Sequence, residues 1–90
     1  MDAPMTPGDR LAALAAHLTA RNMDVELTDR DLLVRQRDTG LVTGLIVCRP
    51  RPEDGGALWF LTGAGEPLAP AARIVDAAVA LKALRSRGRR

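Results

Sequence analysis

The stretch LVTGLIVC at residues 41–48 is nearly continuous in apolar and β-branched residues, and this pattern predicts the central strand of a sheet. Before it, apolar and polar residues alternate strictly over 24–28, which predicts a half-buried strand, and residues 32–37, which begin with three apolar residues, are predicted as a second strand. After it, residues 57–62 have the composition of a fourth strand. Because short turns join all four segments, we predict an antiparallel meander.

Helical spacing appears on both sides of the predicted sheet. We predict a first helix over 9–21, with Asp9 as its N-cap, from the apolar residues Leu11, Leu14, Ala15 and Leu18. A second helix is predicted from Pro70, which suits a first helical turn and precedes an apolar stripe of Ile74, Ala77, Ala78, Leu81 and Leu84. The predicted fold class is therefore α+β: a two-layer sandwich in the order helix, four-stranded antiparallel meander sheet, helix, with both helices on one sheet face.

The length of 90 residues and the hydrophobic fraction of 47% predict one small folded domain. We expect a disordered lead-in over 1–8, a single α+β domain over 9–84 and a basic disordered tail over 85–90. No apolar run approaches the roughly 20 residues that cross a bilayer, and residues 1–7 lack the basic and apolar regions of a secretion signal. Cys48 is the single cysteine, so an intramolecular disulfide is excluded and a cytoplasmic location is expected.

Residue types that perform catalysis are scarce. The chain has one histidine, His17, and one serine, Ser86, besides Cys48, whereas nucleophilic catalysis needs a nucleophile and a base held together. The Gly-Ala-Gly sequence at 63–65 lacks the full dinucleotide-binding pattern, which favours a plain strand-to-helix connection. The acidic residues over 24–38 lack the spacing of a calcium loop. We therefore predict that the protein is no enzyme and has no cofactor, no metal site and no small-molecule substrate.

Apolar residues in excess of one small core indicate a protein partner. Trp59 and Phe60 are adjacent on one predicted strand, so their side chains point to opposite faces, and a face with Trp59 and Leu61 would favour a covering partner. On the second helix, Val75 and Val79 lie about 100° or more from the buried stripe. We predict a non-catalytic protein-interaction or regulatory module of unknown pathway, a homodimer or a binder of another protein, with the partner-binding residues Trp59, Val75, Val79, Arg49 and Arg51.

The charge distribution leaves a second function open. The net charge of +2 includes four arginines in the last six residues, and without them the chain has nine basic residues against eleven acidic ones. The alternative is a nucleic-acid-contacting accessory protein that uses the stiffened, proline-containing loop over 49–56, with Arg49 and Arg51, and the tail residues Arg85, Arg87, Arg89 and Arg90. Because the basic excess lies in an appendage, nucleic acid is the less favoured partner, and a rigid turn is the default interpretation of the loop.

The segment WFLTGAGEP at residues 59–67, followed by an alanine-rich helix, resembles a group of small uncharacterised actinomycete proteins with a W-F-x-T-x-x-G-E-P segment. The similarity covers about residues 45–84. It implies a high-GC bacterial origin and a compact cytoplasmic protein, and it assigns no functional residue. In its element order the chain is also similar to the secretion-chaperone and related α+β folds, whose members commonly form dimers and bind other proteins.

Overall fold

The computed structural model describes residues 6–36 and 39–87. Within them the chain forms two helices and five strands, in the order α1 (Pro7–Ala20), β1 (Asp24–Leu27), β2 (Leu32–Arg35), β3 (Val42–Arg51), β4 (Ala57–Thr62), β5 (Pro67–Pro70) and α2 (Ile74–Arg87). A short 3₁₀ turn, Pro52–Asp54, joins β3 to β4. Neither helix of this part of the chain has the length and apolar composition that a membrane span requires.

The strands form one open antiparallel sheet in the order of the chain, β1-β2-β3-β4-β5. This arrangement confirms the predicted α+β class and the meander. The predicted number of four strands is wrong, because Pro67–Pro70 pairs with β4, with Phe60 opposite Ala69 and Trp59 opposite Pro70. Prolines at both ends of this segment argue against a strand, but an edge strand has an unpaired side and tolerates them.

The second helix, α2, differs from its prediction at both ends. It begins at Ile74 instead of at residue 70, because the preceding residues complete β5 and a turn. It continues through Arg85 to Arg87, so these two arginines belong to the helix, whereas Arg89 and Arg90 lie outside the described residues. The predicted buried stripe is confirmed at Ala77, Ala78 and Leu81.

Both helices pack on the same face of the sheet, which we call the inner face. One apolar core contains the buried residues of α1, those of α2 and those of the sheet, including Leu11, Leu14, Leu18, Ala77, Ala78, Leu81, Leu32, Val34, Ile46, Cys48 and Phe60. Cross-strand partners share a face of a sheet, and the register pairs Leu32 with Ile46, and Cys48 with Phe60. The inner face therefore runs through these residues, and the helices cover it.

The beginning of α1 is fixed by a capping box. Thr6 Oγ1 accepts a hydrogen bond from the Asp9 backbone N–H at 3.1 Å, and the Asp9 carboxylate accepts one from the Thr6 N–H at 3.1 Å. Pro7 occupies the first turn, where its missing N–H costs no helical hydrogen bond. The prediction that Asp9 is the N-cap is therefore wrong: Thr6 is the N-cap, and the helix includes Pro7 and Gly8 of the predicted lead-in.

Replacing Thr6 by alanine is expected to lower the free energy of unfolding by about 1 kcal/mol, because the Asp9 N–H loses its acceptor. Urea unfolding followed by circular dichroism measures the change. Thr19→Ala is the control, since Thr19 is exposed near the other end of α1, and it should change the free energy by less than about 0.5 kcal/mol. Equal losses in the two variants would contradict the stabilising role of the capping box.

Candidate binding surface on the open face of the sheet

The face of the sheet opposite the helices carries a group of apolar side chains. Neighbouring residues of a strand point to opposite faces, so the residues beside the core positions of β2, β3 and β4 face outward. The register pairs these outward residues with one another, Leu33 with Leu45 and Val47 with Leu61. We call this surface the open face and define its apolar part by five partly buried residues: Leu33, Leu45, Val47, Trp59 and Leu61.

Neither helix lies over the open face, although the beginning of α1 and the turn between β1 and β2 line a cavity together with Leu45 and Val47. None of its five residues belongs to the core or packs against it, and both helices contact the sheet from the inner side. An antiparallel sheet with one solvated face usually presents polar residues on that face. A group of apolar side chains there departs from this pattern and is typical of an interaction surface.

Trp59 is held at one end of the open face by polar contacts. Its indole Nε1–H donates a hydrogen bond to an Asp54 carboxylate oxygen at 2.9 Å. The guanidinium carbon of Arg51 lies 4.6 Å from the centre of the indole ring, and Arg51 also pairs with Glu53 at 3.8 Å. Because these contacts fix the ring before any partner arrives, binding through Trp59 would require little further ordering of this side chain.

Arg49 and Arg51 lie on β3, although the sequence predicts them in a loop. β3 extends to Arg51, and the register places Arg49 opposite Trp59 and Arg51 opposite Ala57. Both arginines therefore project from the same side of the sheet as Trp59. The structure thus brings together three of the predicted partner-binding residues at one end of the open face.

Val75 and Val79 lie in the other layer of the molecule. They are on α2, and their exposed fractions are 56% and 62%. Since α2 packs on the inner face of the sheet, these valines and Trp59 are on different sides of the domain. The five predicted partner-binding residues therefore form two separate surfaces, and the structure does not join them into one site.

None of the predicted partner-binding residues lies at the centre of the open face. Leu33, Leu45 and Val47 supply it, and each is adjacent in sequence to a buried residue of the inner face. Consecutive apolar residues over 32–34 and 45–47 mean that both faces of these strands are apolar. Apolar residues at consecutive positions of a strand are thus the feature of the sequence that indicates the apolar open face.

Charged residues lie at both ends of the open face. At the β1 end, the register pairs Asp24 with Arg35 and Glu26 with Leu33, so both acids share this face. An Arg35 Nη2 atom contacts Glu26 Oε1 at 2.6 Å. Arg49 lies at the opposite end, beside Trp59. Acidic and basic side chains are present at both ends; the charge without an ion pair among the described residues is Asp24 at the β1 end and Arg49 beside Trp59.

Cys48 and His17 have surroundings typical of structural residues. Cys48 is 6% exposed on the inner face, and its burial raises the pKa of the thiol, a rise that the positive charge of Arg10 opposes only in part. A thiol with a raised pKa is a weak nucleophile at neutral pH. His17 Nε2 accepts a hydrogen bond from Arg21 Nε at 3.1 Å, one turn along α1.

A surface cavity of about 500 Å³ lies between the beginning of α1, the turn between β1 and β2, and β3. Its walls include Gly8, residues 29–31 and, from β3, Leu45, Val47, Cys48 and Arg49, so the cavity contains both signs of charge and borders the open face. Among the residues that the structure describes, no group of three or more His, Cys, Asp or Glu residues could hold a metal ion. The lining of the cavity therefore indicates no single class of ligand.

Residues 63–66 form the turn between β4 and β5, so the prediction that the Gly-Ala-Gly sequence connects a strand to a helix is wrong. The Thr62 N–H donates to the Glu66 carbonyl at 2.8 Å, and the Glu66 N–H donates to Thr62 Oγ1 at 3.1 Å. Gly65 has a φ of +96°, which favours glycine.

The chain matches no protein-family model, no curated protein and no solved structure. The resemblance of residues 59–67 to a group of actinomycete proteins therefore stays a prediction.

Proposed function

We propose that the chain is a non-catalytic protein-interaction or regulatory module that forms a homodimer through the open face. The observation that supports the proposal is the group of five apolar side chains that packs outside the core and that neither helix covers. Association would remove the remaining exposed surface of these side chains from water. Complete burial of a Val or Leu side chain contributes about 1.5–3 kcal/mol, so even a part of that amount at each position favours association.

A cytoplasmic location belongs to the same proposal. The single cysteine, Cys48, is free and buried, and reduced thiols are the rule in the cytoplasm. An interaction surface rich in apolar side chains also agrees with a module that works by binding other proteins or its own copy.

Replacing Val47 by aspartate tests the proposal. Each dimer would then hold two buried carboxylates at its centre, because a two-fold interface repeats every contact. We expect the wild-type chain to sediment at twice the mass of one chain at high micromolar concentration, and V47D to associate at least about 100-fold more weakly. Circular dichroism of V47D establishes that the variant is folded.

Val79→Asp is the matched control, because Val79 has the same side chain and is 62% exposed on α2. We expect V79D to dimerise as the wild type does. A wild-type chain that stays monomeric at high micromolar concentration would overturn the proposal. If V79D disrupts the dimer and V47D leaves it intact, the interface lies on α2 and not on the open face.

A second candidate function is nucleic-acid contact, which the position of Arg49 and Arg51 beside Trp59 favours. The carboxylates of Glu53 and Asp54 already contact Arg51 and the indole N–H, and they would repel phosphates. This function requires binding to single-stranded oligonucleotides that weakens steeply with salt and weakens further when residues 85–90 are deleted. Quenching of Trp59 fluorescence measures it, and unchanged fluorescence at low salt would exclude it.

A further inference from the structure

We propose that the two copies pair face to face about a two-fold axis, with Asp24 of each copy against Arg49 of the other. This inference rests on the proposed function, since it specifies the arrangement within the homodimer. It follows from where the register places these two charges, from the contacts of their neighbours and from the apolar surface between them.

Asp24 and Arg49 lie at opposite ends of the open face. Asp24 is the cross-strand partner of Arg35, which in turn is the partner of Val42 at the beginning of β3. Arg49 lies on β3 seven positions after Val42. At about 3.3 Å per residue, the two ends of the open face are roughly 20 Å apart along the strands.

The neighbouring charges form ion pairs, whereas Asp24 and Arg49 form none with any residue of 6–36 and 39–87. Glu26 contacts Arg35 at 2.6 Å, and Arg51 contacts both the Trp59 ring and Glu53. Asp24 and Arg49 are also both exposed. Each charge is therefore available to a partner.

A second copy of this chain fits these observations because the surface is complementary to itself. A two-fold interface brings the same patch of both copies together, so every contact between residues i and j occurs twice. An axis parallel to the sheet, midway between the two open faces and passing over the apolar centre around Leu45, exchanges the two ends of the open face. It places Asp24 of one copy over Arg49 of the other at both ends, while the apolar centres stack as in face-to-face sheet packing.

Charge reversal at these two positions tests the arrangement. In a dimer of Asp24→Arg chains both end contacts become two positive charges, and in a dimer of Arg49→Asp chains both become two negative charges. We expect each variant alone to dimerise about ten-fold more weakly than the wild type. An equimolar mixture of the two variants restores opposite charges at both contacts, so we expect mixed dimers of nearly wild-type affinity.

Native mass spectrometry separates the mixed dimers by mass, and sedimentation equilibrium gives the affinities. Asp76→Arg and Arg73→Asp are the matched controls, because this exposed pair at the beginning of α2 lies in the helical layer. These two variants should dimerise like the wild type, alone and in mixture. The milder variants Asp24→Asn and Arg49→Gln should each weaken the dimer less, and their mixed dimer should recover one of the two Asp24–Arg49 contacts and hence part of the lost affinity.

The outcomes separate this arrangement from the proposed function. If the wild-type chain forms no dimer, both fail together. If V47D disrupts the dimer but D24R and R49D dimerise with wild-type affinity, the open face is the interface and the Asp24–Arg49 pairing is wrong. Weakening in both single variants without recovery in their mixture also overturns the pairing.

Discussion

Replacing Phe60 by alanine is expected to lower the free energy of unfolding by about 3–5 kcal/mol, the largest effect that we predict for a single substitution. The Phe60 side chain is fully buried at 0% exposure and belongs to the core that both helices share with the sheet. Its removal deletes apolar contacts and leaves a cavity that the surrounding side chains fill only in part. A domain of this length has a total stability of about 5–13 kcal/mol, so the variant will be close to unfolding.

Urea unfolding at one fixed protein concentration measures this loss, with circular dichroism and the fluorescence of Trp59 as independent signals. Val75→Ala is the control, because Val75 is 56% exposed on α2, and it should change the free energy by less than about 0.5 kcal/mol. A loss below about 1 kcal/mol in F60A would mean that Phe60 does not hold the two layers together.

Replacing Gly63 by alanine is expected to lower the free energy of unfolding by about 1 kcal/mol, the lower end of the cost of overpacking, because the added methyl group overlaps Leu45, whose side chain lies outside the core and can move in part. A Cβ atom at position 63 would lie 2.9 Å from Leu45 Cδ2 and 3.3 Å from Leu45 Cβ. The Leu45 side chain, and with it the centre of the open face, must shift to make room. The Gly63 N–H also donates to the Leu45 carbonyl at 2.9 Å, so the two residues cannot separate freely.

A double-mutant cycle with Leu45→Ala identifies the cause. If the overlap destabilises the domain, then Gly63→Ala should cost clearly less in the L45A background than in the wild type. Gly44→Ala is the control in the same sheet, since a Cβ there would meet Val34 Cβ at an ordinary 3.7 Å. The same loss for G63A in both backgrounds would contradict the explanation.

The arrangement of the core was predictable from the sequence, because it follows from simple periodicities. The spacing of Leu11, Leu14 and Leu18 predicts the buried side of α1, and all three are buried. The apolar stretch at 41–48 predicts a central strand, and β3 is the central strand of the five. These patterns depend only on which neighbours a residue has along one helix or strand, so a single sequence contains them.

The fifth strand and the full length of β3 were not predictable, because both depend on position in the sheet. Prolines normally interrupt strands, yet Pro67 and Pro70 lie on the edge strand β5. Pro50 lies in the part of β3 after Ile46, where pairing with β2 has ended and one side of β3 is free. Proline is tolerated at such places, but the sequence does not mark which strands have a free side.

The candidate site was only partly predictable for a similar reason. Alternation predicts that Trp59 and Phe60 face opposite sides, but not which one faces the helices. Spacing along α2 likewise places Val75 and Val79 away from the buried stripe without relating them to Trp59. Only the three-dimensional packing shows which side chain faces the helices. It buries Phe60 in the core and places the predicted partner-binding residues on two separate surfaces.

The strands follow one another in the sheet in the same order as in the chain. Each strand therefore finds its partner by closing a short loop, and the entropic cost of loop closure rises with loop length. The two helices, α1 and α2, are the elements farthest apart in the sequence, and they contact each other. We expect folding to proceed by successive local hairpins, with the contacts of α1 to β3 and to α2 as its distant steps, and hence to be faster than in β-sandwiches of similar size.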